Sequence, residues 1–190
     1  MNILRLSTLS LTLAIAVFAL GHANPSFAAQ TVHLTLEIAG NQIEGESTIR
    51  SLDREGTIEC SSFTWGVLTS TDDSTGSVTG KRQYQPVTVT KRIDKSTPLL
   101  AKALAQNEPV TTAEFRFYRP DTTGKGAEEH FYTILLENGY IKSISAVSEV
   151  SLLGGPDAPP MMETVGFVFQ NITWTYEIGG ATHQDSWTSR

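Results

Sequence analysis

The sequence predicts a mainly β protein: an antiparallel β-barrel or sandwich of two sheets that carries one short α-helix. Three observations predict this class. Most of the chain after residue 30 alternates apolar and polar residues with a period of two, which is typical of half-buried strands. Turn signals separate these segments at hairpin spacing, without intervening helices, which favours antiparallel pairing. A single segment near residue 100 has the start and stop signals of a helix.

The first two predicted strands differ in how clearly their faces separate. The strand at 31–38 carries its apolar side chains on one face and ends at a turn sequence, 39–41. The strand at 56–65 is predicted to place Phe63 and Trp65 on one face. The residues expected on its opposite face are Cys60, Ser62 and Thr64.

The segment at 66–80 is rich in Gly, Ser, Thr and Asp and has no periodic pattern. We therefore predict a long mobile loop of about 15 to 18 residues here. In a compact domain, a loop of this length usually carries a function or is disordered.

The predicted helix follows a strand at 84–92, whose alternation places Lys91 on the same face as two valines. Thr97 is predicted to be the N-cap, and Pro98 occupies the first helical position, where its missing N–H is harmless. The sequence 106–109 ends in proline and therefore ends the helix. The predicted apolar face consists of Leu99, Leu100, Ala103 and Leu104.

The second half of the chain completes a set of about seven predicted strands. Asn138-Gly139 predicts a tight hairpin turn, since this pair is the strongest short hairpin signal. A partial barrel with the helix plugging one end would bury both the strands and the leucines of the helix. The remaining predicted strands lie at 110–118, 129–136, 140–150 and 161–176.

Residues 1–28 have the pattern of a secretory signal peptide. One basic residue, Arg5, precedes an apolar stretch at 9–20, and small residues follow. Cleavage after Ala28 would put Ser26 and Ala28 at the positions that a signal peptidase recognises. The apolar stretch is too short to span a bilayer comfortably. The alternative is a misassigned start, in which case residues 1–28 are an artefactual extension.

Residues 29–190 are predicted to form one soluble domain, since 190 residues suit a single domain and no further stretch is apolar enough for a membrane helix. The net charge of −6 gives the protein no electrostatic reason to bind nucleic acid. Cys60 is the single cysteine, so an internal disulfide is excluded, and we expect a buried strand residue.

The sequence lacks the motifs that mark common catalytic and cofactor sites. It contains no nucleophile elbow, no phosphate-binding loop, no His-Glu-x-x-His and no paired cysteines. Glu128 and His130 would share a strand face, but two ligands are too few for a metal site. Asp72 and Asp73 are likewise too few for calcium, which needs six or more oxygens. We therefore predict no catalytic residue, no cofactor and no metal ligand, and an enzyme is disfavoured.

The segment at 87–103 resembles the signature of the Hcp family, the tube proteins of bacterial type VI secretion systems. Further resemblance lies in Phe-Thr-Trp-Gly at 63–66, in Gly-Glu-Ser at 45–47 and in Trp187 near the C-terminus. The resemblance covers residues 31–190 and is most specific at 91–98. The signature residues at the helix start are Asp94, Lys95, Ser96, Thr97 and Pro98.

The resemblance implies a barrel of two antiparallel sheets with one helix, six copies of which form a head-to-tail ring around a wide bore. Rings would stack into a tube that carries small effector proteins. Strand alternation further suggests Ser62 and Thr64 as bore-lining residues. The loop at 67–85 would contact the neighbouring ring. Its candidate stacking residues are Val67, Leu68, Asp72, Asp73, Gly76, Gly80, Lys81 and Tyr84.

The predicted leader departs from the family, whose members assemble in the cytoplasm and leave through the injection machine. Either the start is misassigned and the protein is cytoplasmic before injection, or this relative works in the periplasm or outside the cell. Two further functions remain open: a monomeric secreted or periplasmic binding module built on the same barrel, and a secreted effector enzyme. Oligomeric state separates the ring from the module.

Overall fold

The computed structural model describes residues 30–121, 128–147 and 160–187. The predicted leader therefore lies outside the described residues. Within them are eleven strands, one α-helix and a short 3-10 turn at Ser51–Asp53. None of the helices in the described ranges is long and apolar enough to cross a membrane. The elements are β1 (Thr31–Ile38), β2 (Asn41–Ile43), β3 (Ile58–Thr64), β4 (Val67–Thr71), β5 (Val78–Tyr84), β6 (Val87–Arg92), α1 (Thr97–Gln106), β7 (Pro109–Pro120), β8 (Glu128–Val147), β9 (Met162–Val168), β10 (Asn171–Tyr176) and β11 (Ala181–Ser186).

Six strands close into an antiparallel barrel in the order β8-β7-β1-β3-β6-β9, and β9 pairs again with the second half of β8. The first half of β8 also pairs with β10, and β10 pairs with β11, so that these two strands extend the sheet beyond the barrel. β2 adds to β1. A separate two-stranded sheet consists of β4 and β5. The predicted fold class, mainly β with two sheets and a short helix, is confirmed.

The barrel interior is filled by side chains of alternating strand positions, as a closed barrel of this size requires. Phe115 is fully buried and contacts Phe63 and Phe167 edge to face, with ring centroids 4.9 and 5.9 Å apart. Burying aromatic and branched side chains removes apolar surface from water, which is the main term that stabilises the fold.

The predicted hairpin turn at Asn138-Gly139 is wrong, because β8 continues through it. Before this point β8 lies beside β10, and after it β8 lies beside β9. Asn138 has φ +54°, and a Cβ on Gly139 would lie 2.1 Å from the Val168 carbonyl oxygen. The pair therefore marks the point at which one long strand exchanges β10 for β9 as its neighbour. The predicted strand at 161–176 is correspondingly two strands, β9 and β10, interrupted at Phe169 and Gln170.

The helix docks on the barrel as predicted, but through fewer side chains. Leu100 and Ala103 are buried, and Leu104 packs against the core. Leu99 is 44% exposed, so its predicted place on the apolar face is wrong. The helix ends at Gln106, and the left-handed backbone of the C-cap residue Asn107 lets its N–H reach the carbonyls of the last turn.

The predicted N-cap is also wrong. Ser96, not Thr97, holds the N-cap position, and no side chain caps the helix there. Asp94 instead organises the turn, since its carboxylate accepts hydrogen bonds from the Ser96 backbone N–H (2.9 Å) and hydroxyl (2.6 Å). The Thr97 hydroxyl instead donates a hydrogen bond to the Glu163 carboxylate on β9.

Candidate assembly site

The segment predicted to be an irregular loop forms a projecting β-hairpin, so that prediction is wrong in form. β4 and β5 pair antiparallel from Val67↔Tyr84 to Thr71↔Val78, with an irregularity after Thr69. Most of its side chains are exposed, as expected for a ribbon without a second layer. The branched side chains of its threonines and valines have restricted rotamers that suit a strand, which favours strands here although the sequence lacks apolar alternation.

The hairpin turn is built by Asp72, which the sequence predicted to be a loop residue and a candidate for ring stacking. Its carboxylate Oδ1 accepts hydrogen bonds from the backbone N–H groups of Ser74 and Thr75, both at 2.9 Å, and from both hydroxyls. These hydrogen bonds, led by the Ser74 hydroxyl, lower the pKa of Asp72 to about 2. Gly76 supplies the left-handed residue of the turn at φ +69°.

The other predicted stacking residues are distributed along the two strands. Val67 and Leu68 lie exposed on β4, while Gly80 and Lys81 lie exposed on β5. Asp73 is exposed in the turn. Their contact with a neighbouring ring stays a prediction.

Tyr84 differs from these residues because it is 7% exposed and packs against the body of the protein. Its ring lies 5.5 Å from that of Phe169 and 5.8 Å from that of Trp187. Trp187, the terminal aromatic of the resemblance, therefore contacts the base of the hairpin. Tyr84 anchors the hairpin rather than presenting a surface to a partner.

The two predicted bore-lining residues, Ser62 and Thr64, are exposed on β3. A bulge between Cys60 and Ser62 shifts the register of β3 against β6. Cys60 is buried in the core, and the Phe63 side chain packs against the same core. The prediction that Cys60 and Phe63 lie on opposite faces of β3 is therefore wrong. The position of Ser62 and Thr64 on the wall of a bore stays a prediction.

Cys60 is a buried strand residue, as expected. Burial raises the pKa of its thiol to about 12, against the lowering influence of the Lys91 ammonium. The thiol therefore remains protonated at neutral pH, which makes it a poor nucleophile.

The family-signature segment encloses a buried ionic cluster. Lys91 is 1% exposed, and its ammonium lies 2.8 Å from Asp94 Oδ1 and 2.7 Å from Glu163 Oε1. It also donates to the Arg92 carbonyl at 2.7 Å. Thr97 donates its hydroxyl to the same Glu163 oxygen at 2.7 Å. The cluster ties β6, β9 and the start of α1 together at one corner of the barrel.

This cluster was not predicted from the sequence, although one signal was available. The alternation of β6 placed Lys91 on the face of Val87 and Val89, and a lysine on an apolar face needs a buried anionic partner. Glu163 could not be found in this way, because it lies 72 positions along the chain and meets Lys91 only through the β6–β9 register. Lys95 of the signature lies on the surface and pairs with Glu44 at 2.8 Å.

A second buried cation, Arg54, was also missed. It is 1% exposed, donates to the Ser51 hydroxyl (2.7 Å) and to the Glu128 carboxylate (2.5 Å), and lies over the Tyr118 ring at 4.6 Å. Glu128 is therefore engaged in an ion pair, while His130 contacts the Thr133 hydroxyl at 2.9 Å. In the described ranges, no group of three or more His, Cys, Asp or Glu side chains is arranged to hold a metal ion.

Gly45, of the Gly-Glu-Ser resemblance, has a structural reason for its identity. A Cβ there would lie 2.3 Å from the Thr57 carbonyl oxygen. The backbone N–H of Gly45 donates to Gly56, and that of Ser47 donates to Thr57. The Lys95 backbone N–H donates to the Glu46 carboxylate at 3.3 Å. This motif therefore fastens the segment after β2 to the segment that precedes β3.

Comparison with known proteins agrees with these features. Residues 35–176 match the family model described as type VI secretion system effector, Hcp. The chain is 36% identical to the "Major exported protein" of Pseudomonas aeruginosa over 127 residues, which cover 67% of this chain and 73% of that protein.

Two solved structures have the same fold. A mutant form of the Hcp1 protein from E. coli EAEC 042 has a TM-score of 0.72 and 32% identity, over 84% of this chain and 99% of that one. The secreted protein Hcp3 from Pseudomonas aeruginosa has a TM-score of 0.66 and 25% identity, over 85% of this chain and 100% of that one. The chain therefore belongs to the Hcp family of type VI secretion system effectors, a family of tube-forming structural proteins rather than of enzymes.

Proposed function

We propose that this protein forms a homohexameric ring and that the hairpin of β4 and β5 contacts the next ring of a tube. The observation that carries the proposal is the hairpin itself, a separate two-stranded sheet whose side chains are mostly exposed. A two-stranded ribbon is marginal on its own in water, so a second protein surface would stabilise it.

The chemistry of the hairpin supports a second copy of this chain as its partner. Leu68 is 59% exposed and Val78 is 69% exposed, near opposite ends of the hairpin, and Val67 adds a third exposed apolar side chain. A partner that covers these exposed apolar side chains removes their surface from water, which is favourable for binding. In a head-to-tail stack of rings every copy uses the same surface, so the hairpin of each chain would meet the same face of the next ring.

The proposed bore wall includes Ser62 and Thr64 on β3. Both are small, polar and exposed, so they would present hydroxyl groups rather than apolar surface to a passing protein. Such a wall suits a carrier of small effector proteins, which must hold its cargo weakly. The proposed role is structural and non-catalytic.

We further propose that residues 1–28 are removed after Ala28 and that the domain at 29–190 acts outside the inner membrane. The names of two relatives, an exported and a secreted protein, support secretion in general. The N-terminal residue of the natural protein, determined by mass spectrometry for each cell fraction, tests the leader. Ala29 in a periplasmic or extracellular fraction is the expected result, whereas an unprocessed cytoplasmic protein would contradict it.

Light scattering after size exclusion tests ring formation on the processed protein. We expect the mass of six protomers. A mass of one protomer would contradict the ring and favour the monomeric binding module.

Leu68→Ser tests the stacking contact. We expect the parent to form tubes at high protein concentration and the variant to form rings without tubes, and negative-stain electron microscopy of both proteins measures the difference. Leu99→Ser is the matched control, because Leu99 is also exposed but lies on α1. Tubes of normal length from Leu68→Ser would contradict the stacking role.

A further inference from the structure

The hairpin of β4 and β5 is attached to the barrel without sharing its sheet. It is a separate sheet from the nine-stranded one, and its base is closed by the Gln85 backbone N–H donating to the Gly66 carbonyl at 2.9 Å. A ribbon joined to a barrel by its two chain ends can pivot about them. Side-chain contacts must therefore fix the direction in which it projects.

Those contacts converge on Asp185 in the last strand, β11. One carboxylate oxygen of Asp185 accepts a hydrogen bond from the Arg82 guanidinium, and the other accepts one from the Tyr84 hydroxyl. The Asp185 side chain is only 14% exposed, whereas most of the hairpin side chains are solvent-exposed. Charge-assisted hydrogen bonds of this kind are roughly twice as strong as neutral ones and are directional.

An aromatic layer supports the same contact from one side. The Trp187 ring lies 5.8 Å from that of Tyr84 and 5.6 Å from that of Phe169. Trp65, next to the hairpin base, lies 5.3 Å from Trp174 of β10. Tilted and edge-to-face ring contacts bury area but permit sliding, whereas a carboxylate that binds two donors of β5 defines one orientation.

We propose that Asp185 is a positioning residue that fixes the direction of the hairpin and so allows it to meet the neighbouring ring. β11 would then hold the hairpin of β4 and β5 in the orientation that the contact with the next ring requires. This inference rests on the proposed stacking function, because a fixed direction matters only if the hairpin has a partner. Its physical content, however, concerns the isolated protein.

The test measures the motion of the hairpin tip. Asp73→Cys introduces a labelling site in the exposed turn, and the buried thiol of Cys60 does not compete for the label, since its pKa is raised to about 12. In this background Asp185→Asn removes the charge and keeps the shape. We expect the order parameter of a fluorescent label at this position to fall, because the segment that carries it changes from rigid to flexible. Asp53→Asn, the same chemical change on the distant 3-10 turn, should leave it unchanged.

A second readout separates positioning from general stability. Asp185→Asn should keep the melting temperature of the barrel and the hexamer mass while tube length falls at least tenfold. Asp185→Glu, which retains the carboxylate, should recover most of both the label order and the tube length. These two results would establish a positioning role.

A label that is equally ordered in Asp185→Asn and in the parent would overturn the inference, whatever the tubes do. Loss of order together with tubes of normal length would also overturn it. If the parent itself forms no tubes, the stacking function fails, but the label order still reports whether Asp185 holds the hairpin. The failures of the two proposals are thus distinguishable.

Discussion

The Lys91 corner of the barrel and the projecting hairpin place their charges in opposite environments. At the corner, Lys91 and Glu163 are each almost completely shielded from water. In the hairpin, Asp73 and Lys81 point into solvent, and only the base is packed. Buried charges depend strongly on their partners, whereas exposed charges are screened by water and salt. The barrel therefore carries the stability of the fold, and the hairpin is available for a contact with another molecule.

Lys91→Ala should produce the largest loss of stability. It leaves the Glu163 and Asp94 carboxylates buried without their cation, and breaking a buried ion pair in this way costs about 3–5 kcal/mol. The free energy of unfolding, measured with urea, checks the prediction. Lys81→Ala is the matched control in the hairpin, with an expected change within about 0.5 kcal/mol. Equal effects for the two lysines would contradict the contrast between the regions.

Leu100→Ala tests how much the helix contributes to the barrel core. Leu100 is 1% exposed, and removing a buried leucine side chain costs about 2–5 kcal/mol. Leu99→Ala, one position earlier and 44% exposed, should cost less than about 0.5 kcal/mol. Thermal unfolding of both variants measures the difference. Similar melting temperatures would mean that the helix is not docked through Leu100.

His33 gives the barrel a pH dependence near neutral pH, whereas the lowered pKa of Asp72 in the hairpin acts only in acid. Burial, followed by the Arg54 guanidinium, lowers the pKa of His33 below 6.5, although Glu59 and Glu128 oppose the shift. As the pH falls, the unfolded chain takes up the proton before the folded protein does. The contribution of neutral His33 to the free energy of unfolding is therefore fully present above pH 6.5, and it is lost as the pH falls through the lowered folded-state pKa. Unfolding free energies between pH 7 and pH 5 should decrease in the parent.

His33→Gln should remove that decrease, while His183→Gln should preserve it, because His183 is exposed on β11. An identical pH profile for His33→Gln and the parent would contradict the assignment to His33. This effect should be smaller than those of the Lys91 and Leu100 variants, since one proton is involved.

Val78→Ser should have the smallest effect on folding. Val78 is 69% exposed, so the free energy of unfolding, measured on protein that is not assembled into tubes, should change by less than about 0.5 kcal/mol. Chemical denaturation at low protein concentration provides the measurement. A loss above 1.4 kcal/mol, about tenfold in the folding equilibrium, would show that the hairpin belongs to the folding core after all.

The sequence predicted the strands best where one face is buried. The alternation of 31–38 and of 84–92 gave the correct faces, including that of Lys91, because a period of two reports burial directly. It failed at 66–80, where both faces of the hairpin are exposed and composition suggested a loop. It failed again at Asn138-Gly139, since a local turn signal does not reveal whether neighbouring strands continue the sheet.

The candidate site was predictable only in outline. The resemblance located the segment at 67–85 and the helix start, and it drew attention to Trp187, which packs against Tyr84. The partners Glu163 and Asp185 were missed, because they lie 72 and 103 positions from Lys91 and Arg82, so their contacts arise from strand register and chain folding rather than from local pattern.

The amino-acid sequence by itself determined the β class, the helix near Pro98 and the family, because short-range alternation, backbone restrictions and motif residues are local properties. Only the tertiary structure decided which charges are buried together, that the wall closes through β8 and β9, and that the last strand holds the hairpin base. These features depend on contacts between distant segments, and burial changes the strength of each charge according to what surrounds it.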